Sequence, residues 1–144
     1  MVDETHWRKL ETMYLSAPVN AIYQPAITIR SGAAQVTMEL RPEYFHPAQA
    51  VHGSVYFKML DDAAFFAVNS LVDDVLVLTV SFNLYFMRPL TTGRVTASGE
   101  VVNGSKRVFV ATATLLDSNG KTAASGSGTF MRSSTPLGPG VGYQ

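Results

Sequence analysis

Apolar and polar positions change their period several times along the chain, and each change marks an element. Residues 3–15 carry Trp7, Leu10 and Tyr14 on one side at helical spacing and charges on the other, which predicts a first amphipathic helix. Ala17–Pro25 reads as a loop. Ala26–Arg30 and Gln35–Leu40 alternate apolar and polar residues and predict two short strands joined through Ser31-Gly32-Ala33. Residues 41–52, RPEYFHPAQAVH, hold two prolines and form a connection. A long helix is expected from Ser54 to Leu71, with Ser54 as its N-cap. In VLVLTVSFNLYFM, residues 75–87, Leu78, Val80, Phe82, Leu84 and Phe86 alternate with Thr79, Ser81, Asn83 and Tyr85. Three further strands are expected near 93–102, 106–117 and 121–131, with PLTTG, NGSK and DSNG as the turn signals. Residues 1–132 form one domain in this reading, and the Gly/Pro-rich residues 133–144 a flexible tail.

The long helix decides the architecture. Apart from Lys58, Asp61, Asp62, Asn69 and Ser70 it is apolar nearly all round, which marks a helix buried on most sides. A sheet must then wrap it. The last strands are suited to that, because Ala97, Gly99, Ala111, Ala113, Ala123, Ala124, Gly126 and Gly128 leave room for close approach and curvature. The expected class is α+β: a curved antiparallel sheet wrapped around one long central helix, the hotdog fold.

Composition narrows the chemistry. With 144 residues, 47% hydrophobic and 15% charged, the chain is a single globular domain rather than a disordered segment. Eleven basic and eleven acidic residues cancel, so neither nucleic acid nor an acidic membrane surface is expected as a partner. Cysteine is absent, which excludes disulfides, thiolate catalysis and thiolate metal sites. No His/Asp/Glu set has convincing metal-ligand spacing, and no GxGxxG, P-loop or GxSxG occurs, so neither metal nor cofactor is expected. MVDETHWRKLETM does not read as a signal peptide, and no run is long enough to span a membrane; a soluble cytoplasmic protein is the expectation.

Two adjacent carboxylates on the greasiest helix then demand an account, since burying a charge costs several kcal/mol, roughly, unless it is paired. Lys58 stands four residues before Asp62 and three before Asp61, and Asn69 lies two turns beyond Asp62. Lys58, Asp62 and Asn69 form a polar stripe in this reading. Asp61 is left on the side of Phe57, Phe65 and Val68, with no structural excuse. A carboxylate among apolar side chains has a raised pKa, as a general base near neutral pH needs. The helix start at Gly53 offers free N–H groups that suit a developing oxyanion.

These residues carry a resemblance. His46-Pro47-Ala48-Gln49-Ala50-Val51-His52-Gly53-Ser54, then Asp61 nine residues after His52, then Tyr85-Phe86-Met87-Arg88-Pro89, resembles the pattern of hotdog acyl-CoA thioesterases of the phenylacetate-pathway (PaaI) type. The likeness covers roughly residues 35–131 and includes the GTF ending at 128–130. It implies that Asp61 acts on the thioester as base or nucleophile, that the Gly53 amide polarises its carbonyl, and that Thr79 helps hold the water. It also implies an acyl-CoA substrate and a site completed between the subunits of a homo-oligomer, a dimer or a dimer of dimers.

The chain departs from the pattern at three places: His46 stands for an Asn, Gln49 for a loop Gly, and Ser54 for the second Gly of HGG. A neutral His46 can donate a hydrogen bond as the Asn would. Equally, His46 with Asp61 forms the pair of an enoyl-thioester hydratase or dehydratase, and a non-catalytic acyl-CoA-binding module is a third reading. His52 is a further catalytic candidate or a cap of the loop, and His6 is read as a surface residue. Ser54, Phe57 and Phe65 are candidates for the substrate slot, the aromatics being equally at home in the core. Arg88, Lys106 and Arg107 are candidates to grip CoA phosphates or, alternatively, solvated strand-end bases.

Overall fold

The computed structural model describes residues 1–144, in the order α1 (Glu4–Ser16), α2 (Asn20–Tyr23), β1 (Ala26–Arg30), β2 (Ala33–Glu39), α3 (Gly53–Asn69), β3 (Val75–Phe86), β4 (Arg94–Gly104), β5 (Val108–Leu116) and β6 (Thr122–Pro136). The strands form one antiparallel sheet in the order β1-β2-β4-β5-β6-β3. It curves around α3, giving the α+β hotdog architecture that the small residues and the apolar helix predict. Leu60, Ala63, Ala64, Ala67 and Val68 of α3 are fully buried against Val36, Val95, Ala97, Ala111 and Leu115 of the sheet layer and its surroundings. Burying a Leu or Val side chain contributes about 1.5–3 kcal/mol each, so this layer dominates the stability. No helix is long and apolar enough to cross a membrane.

Local differences from the sequence reading have identifiable causes. The 17–25 loop contains the short helix α2, and β2 begins at Ala33. Helix α3 starts at Gly53 with His52, not Ser54, as its N-cap: His52 has extended φ and ψ, and its ring nitrogen Nδ1 accepts from the Ser54 amide at 3.0 Å. Asn69 does not belong to the polar stripe of Lys58 and Asp62: it is fully buried. Its Nδ2 donates to the carbonyls of Val72 and Val75, and its Oδ1 accepts from the Val77 amide at 3.0 Å, so it staples the turn from α3 into β3. His6 is not a surface residue either: it is 2% exposed, with Nε2 2.8 Å from the Asn69 carbonyl and Nδ1 2.8 Å from the Tyr143 hydroxyl. A carbonyl only accepts, so Nε2 carries the proton and Nδ1 receives the Tyr143 hydroxyl. The C-terminal residues follow from this. Strand β6 runs on to Pro136, and Leu137, Val141 and Tyr143 pack against the core.

The two sheet edges are treated differently. On β1, Glu11 accepts from the Ile29 amide at 2.8 Å and Arg8 donates to the Ile29 carbonyl at 2.7 Å, so α1 covers that edge. Strand β3, at the other end, pairs only with β6 and exposes Leu78 (53%) and Val80 (57%). A register shift between Thr79 and Ser81 inserts Val80 as an extra residue. This bulge breaks the simple alternation and turns both Thr79 and Phe82 toward α3.

Candidate active site

One row of α3 faces the β3 edge. Phe57, Asp61 and Phe65 stand four residues apart and so share a face of the helix. Phe57 meets Phe82 edge-to-face with ring centroids 5.7 Å apart, Thr79 Oγ1 donates to Asp61 Oδ1 at 2.8 Å, and Phe65 meets Phe130 at 6.2 Å. Asp61 is thus a carboxylate with a single side-chain donor in aromatic surroundings. Burial pushes its pKa up to about 6; the Thr79 hydrogen bond works against this, neighbouring Asp62 adds to it, and Lys58 opposes it.

Asp62 has the structural explanation that its spacing predicts, and one partner more. Lys58 Nζ donates to Asp62 Oδ2 at 2.8 Å, and the Tyr14 hydroxyl of α1 donates to the same oxygen at 2.7 Å. Burial, reinforced by Asp62, raises the Tyr14 phenol far above its ordinary value, so it stays a donor. Asp62 ties α1 to α3. Replacing it with Asn keeps an acceptor but removes the ion pair, and the expected cost is about 1 kcal/mol of stability with turnover reduced only a few-fold. Denaturant melts and steady-state rates on the same preparation check this; a loss as deep as that of Asp61→Asn would reverse the two assignments.

Asp61 and Thr79 open on a cavity of about 590 Å³. Its walls come from Met13 and Tyr14 of α1, Phe65 and Phe66 of α3, Leu76 of β3, and the backbone around Val141. That volume lies in the range that holds a ligand of drug size. Tyr14, Leu76 and Val141 were not singled out by sequence; only their place in the fold reveals them.

Gly53 opens on a second cavity of about 410 Å³, which it shares with His46, Tyr56, Phe86 and Arg88. The Ser54 amide is taken by His52 and the Val55 amide by the His52 carbonyl, which leaves the Gly53 amide as the free donor of the first turn. A side chain at Gly53 would have its Cβ 3.1 Å from the Phe86 ring, so this position keeps the amide accessible by lacking one. His46 Nδ1 accepts from the Ala48 amide at 3.1 Å. Its Nε2 therefore carries the proton, and the ring offers a donor rather than a base. Gln49, at the position of the loop glycine, has φ 67°, the left-handed conformation for which glycine is best suited.

The remaining candidates are dispersed. His52 and Ser54 line a separate cavity of about 340 Å³ and hold each other, with Nδ1 2.8 Å from Ser54 Oγ. Phe57 is 40% exposed beside Phe82. Lys106 and Arg107 sit exposed in the β4–β5 turn. That turn adjoins Arg132, whose strand partner is Val77, whereas Arg88 follows Phe86. Nine residues of strand, roughly 30 Å, separate those two ends of β3. One chain brings Asp61, Thr79 and Phe65 together, and His46, Gly53 and Arg88 together. It does not bring the two groups together.

Comparison with known proteins places the chain. The profile of the Thioesterase superfamily matches residues 48–124, which include the Gly53 helix start and Asp61, and the chain belongs to that superfamily. The Escherichia coli PaaI protein from the phenylacetic acid degradation operon shares the fold with a TM-score of 0.85 and 23% identity, over 94% of this chain and 99% of that one. A thioesterase family protein from Silicibacter pomeroyi is 27% identical, with a TM-score of 0.82 over 88% of this chain and 96% of that one. A relative from Sulfurisphaera tokodaii, named as a candidate esterase, is 28% identical over 71% of this chain and 76% of its own length. Thioester hydrolysis is the chemistry to which this membership points.

Proposed function

We propose that the protein hydrolyses the thioester of an acyl- or aryl-acyl-CoA to the free acid and CoA. The observation that carries this reading is Asp61: a carboxylate held by Thr79 in the wall of a mostly apolar cavity, its pKa pushed up to about 6. In the reaction Asp61 takes a proton from the water that attacks the thioester carbon and returns it to the leaving thiolate. Alternatively it attacks that carbon itself to give a mixed anhydride that water then hydrolyses to the free acid, regenerating the carboxylate. The Gly53 amide stabilises the resulting oxyanion, and the thiolate leaves. The free amide at an α-helix N-terminus supports that role, since one such donor is worth on the order of 10²–10³ in rate. His46 Nε2–H supplies a second donor at the same cavity, which supports hydrolysis over the hydratase reading, where His46 would have to accept a proton.

Asp61 and Gly53 are eight residues apart on one helix, roughly 12 Å, too far to act on one thioester. Antiparallel pairing of the open β3 edge with a second copy removes that separation. A two-fold axis near the middle of β3 would set the Thr79 end of one strand beside the Phe86 end of the other, and with it Asp61 of one chain near Gly53 of its partner. The same operation carries the Lys106–Arg107 turn toward the partner's Gly53 cavity, where CoA phosphates need cations.

Thiol release from a panel of aliphatic and aromatic acyl-CoA esters tests the activity, with a mass by light scattering of at least twice 15.6 kDa. Loss of enoyl absorbance without thiol release would replace the reading by the hydratase, and binding without turnover by the non-catalytic module. A monomer at micromolar concentration would overturn the shared site.

A further inference from the structure

We propose that the C-terminal segment, residues 137–144, is the outer wall of the acyl chamber and sets the size of the acyl group that the protein accepts. This deepens the thioesterase reading and rests on it.

The segment is pinned at both ends. The Leu137 amide donates to the Asp74 carbonyl at 3.0 Å, and the Val141, Gly142 and Tyr143 amides close a tight turn onto Gly138 and Pro139. At the far end the Tyr143 hydroxyl donates to His6 Nδ1 at 2.8 Å, while His6 Nε2 is held by the Asn69 carbonyl at the end of α3. A buried histidine with both nitrogens engaged thus couples the tail to the helix that carries Asp61. Lys9 adds a cation 5.4 Å above the Tyr143 ring.

Between these anchors the backbone presses on α1. Gly142 has φ 85°, and a Cβ there would lie 2.7 Å from Ser16 Oγ, so only glycine lets the chain pass this close. The turn that results puts Gly140, Val141 and Gly142 into the wall of the cavity of about 590 Å³ that Asp61 and Thr79 open on. Val141 brings a side chain of some size to that stretch of wall; its neighbours are glycines. Met13, Phe65 and Leu76 line the same cavity. An acyl group entering past Asp61 therefore meets an apolar chamber whose far limit is set by Val141 and the tail behind it. Each methylene that finds room there is worth roughly a factor of four in binding. Growth should stop paying where the tail blocks it, which makes Val141 a specificity determinant.

The test uses the full chain with Val141→Trp and Val141→Ala. Binding of S-alkyl-CoA thioethers from methyl to dodecyl is measured by calorimetry, and kcat/KM with the matching acyl-CoA esters. The parent should bind more tightly as the chain lengthens, up to a limit. Val141→Trp should shorten that limit and lower the ratio of long-chain to short-chain kcat/KM at least tenfold, whereas Val141→Ala should extend it. Opposite shifts from two substitutions that melt like the parent support the wall. Unchanged length profiles in both variants, beside a parent that hydrolyses acyl-CoA, would overturn the tail's role and leave the thioesterase reading standing. A parent that binds thioethers with a length limit but releases no thiol would overturn the hydrolase reading alone. A parent that binds no alkyl-CoA would overturn both.

Discussion

Asp61→Asn is expected to lower thiol release at least roughly 10²-fold while leaving thioether binding and folding intact. Asn keeps the volume and can still accept the Thr79 hydroxyl, but it can neither take a proton nor attack a thioester. The same substitution should raise stability at neutral pH, and the sign follows from the carboxyl's environment. Burial lifts its pKa from 3.8 to about 6 in the folded protein, so the folded state holds the proton more tightly than the unfolded chain. Stability contributed by that proton is fully present below 3.8 and is lost as the pH rises through about 6. Above that, the charged carboxylate costs the fold about 1–2 kcal/mol once its partial contact with solvent is allowed for. Asn resembles the protonated form. Urea melts should therefore show the variant more stable than the parent near pH 8, with the gap closing near about pH 4. The parent's rate should rise with pH through about 6 and then level off. A variant that turns over acyl-CoA like the parent, or one that unfolds, would remove Asp61 from the reaction.

The separation of Asp61 from Asp62 was legible in the sequence because it depends on helical spacing alone. Lys58 at i−4 accounts for one acid and Phe57 and Phe65 at ±4 surround the other, and such distances hold wherever the helix sits. The order β4-β5-β6 was legible for the same reason, since NGSK and DSNG are local turns, whereas the crossing that sets β3 beside β6 rather than β4 was not. What the sequence hid is long-range. His6 looks like a surface residue from its helix, and its burial depends on the Asn69 carbonyl and Tyr143, 63 and 137 residues away. Tyr14 showed its apolar face in the first helix but not its hydroxyl's partner, Asp62. The bulge at Val80 left no trace in the alternation, which reads smoothly through it, yet it decides that Thr79 reaches Asp61. His52 and Ser54 were both competent caps by type, and backbone geometry chose between them. A tail of Gly and Pro has the composition of a loose segment, but Gly142 serves a close approach to Ser16 and Tyr143 an anchor on His6.

Gly99→Ala is expected to be the most destabilising single methyl in the sheet. Gly99 sits in β4 where α3 crosses it, and a Cβ there would lie 2.4 Å from the carbonyl carbon and oxygen of Ala63 and 2.6 Å from the amide nitrogen of Ala64. These are backbone atoms, so no rotamer change relieves the clash. The helix must move outward by about an ångström to restore ordinary contact, and it cannot do so at one residue alone. Ala63, Ala64 and Ala67 lie with no exposed surface against Ala97, Ala111 and Leu115, so lifting the helix opens gaps along the whole seam. The expected loss is about 3 kcal/mol or more, a fall of roughly 10 °C in Tm for a chain of this size. Activity should fall with it, because the same displacement moves Asp61, two residues before Ala63, away from Thr79. Gly138→Ala provides the comparison: its backbone is extended, with φ 178°, and a Cβ there would meet nothing within 4 Å. That variant should stay within about 0.5 kcal/mol of the parent. If Gly99→Ala melts within about 2 °C of the parent in a calorimetric scan, the helix does not rest on the sheet as closely as described, and the small-residue seam is not what holds Asp61 in place.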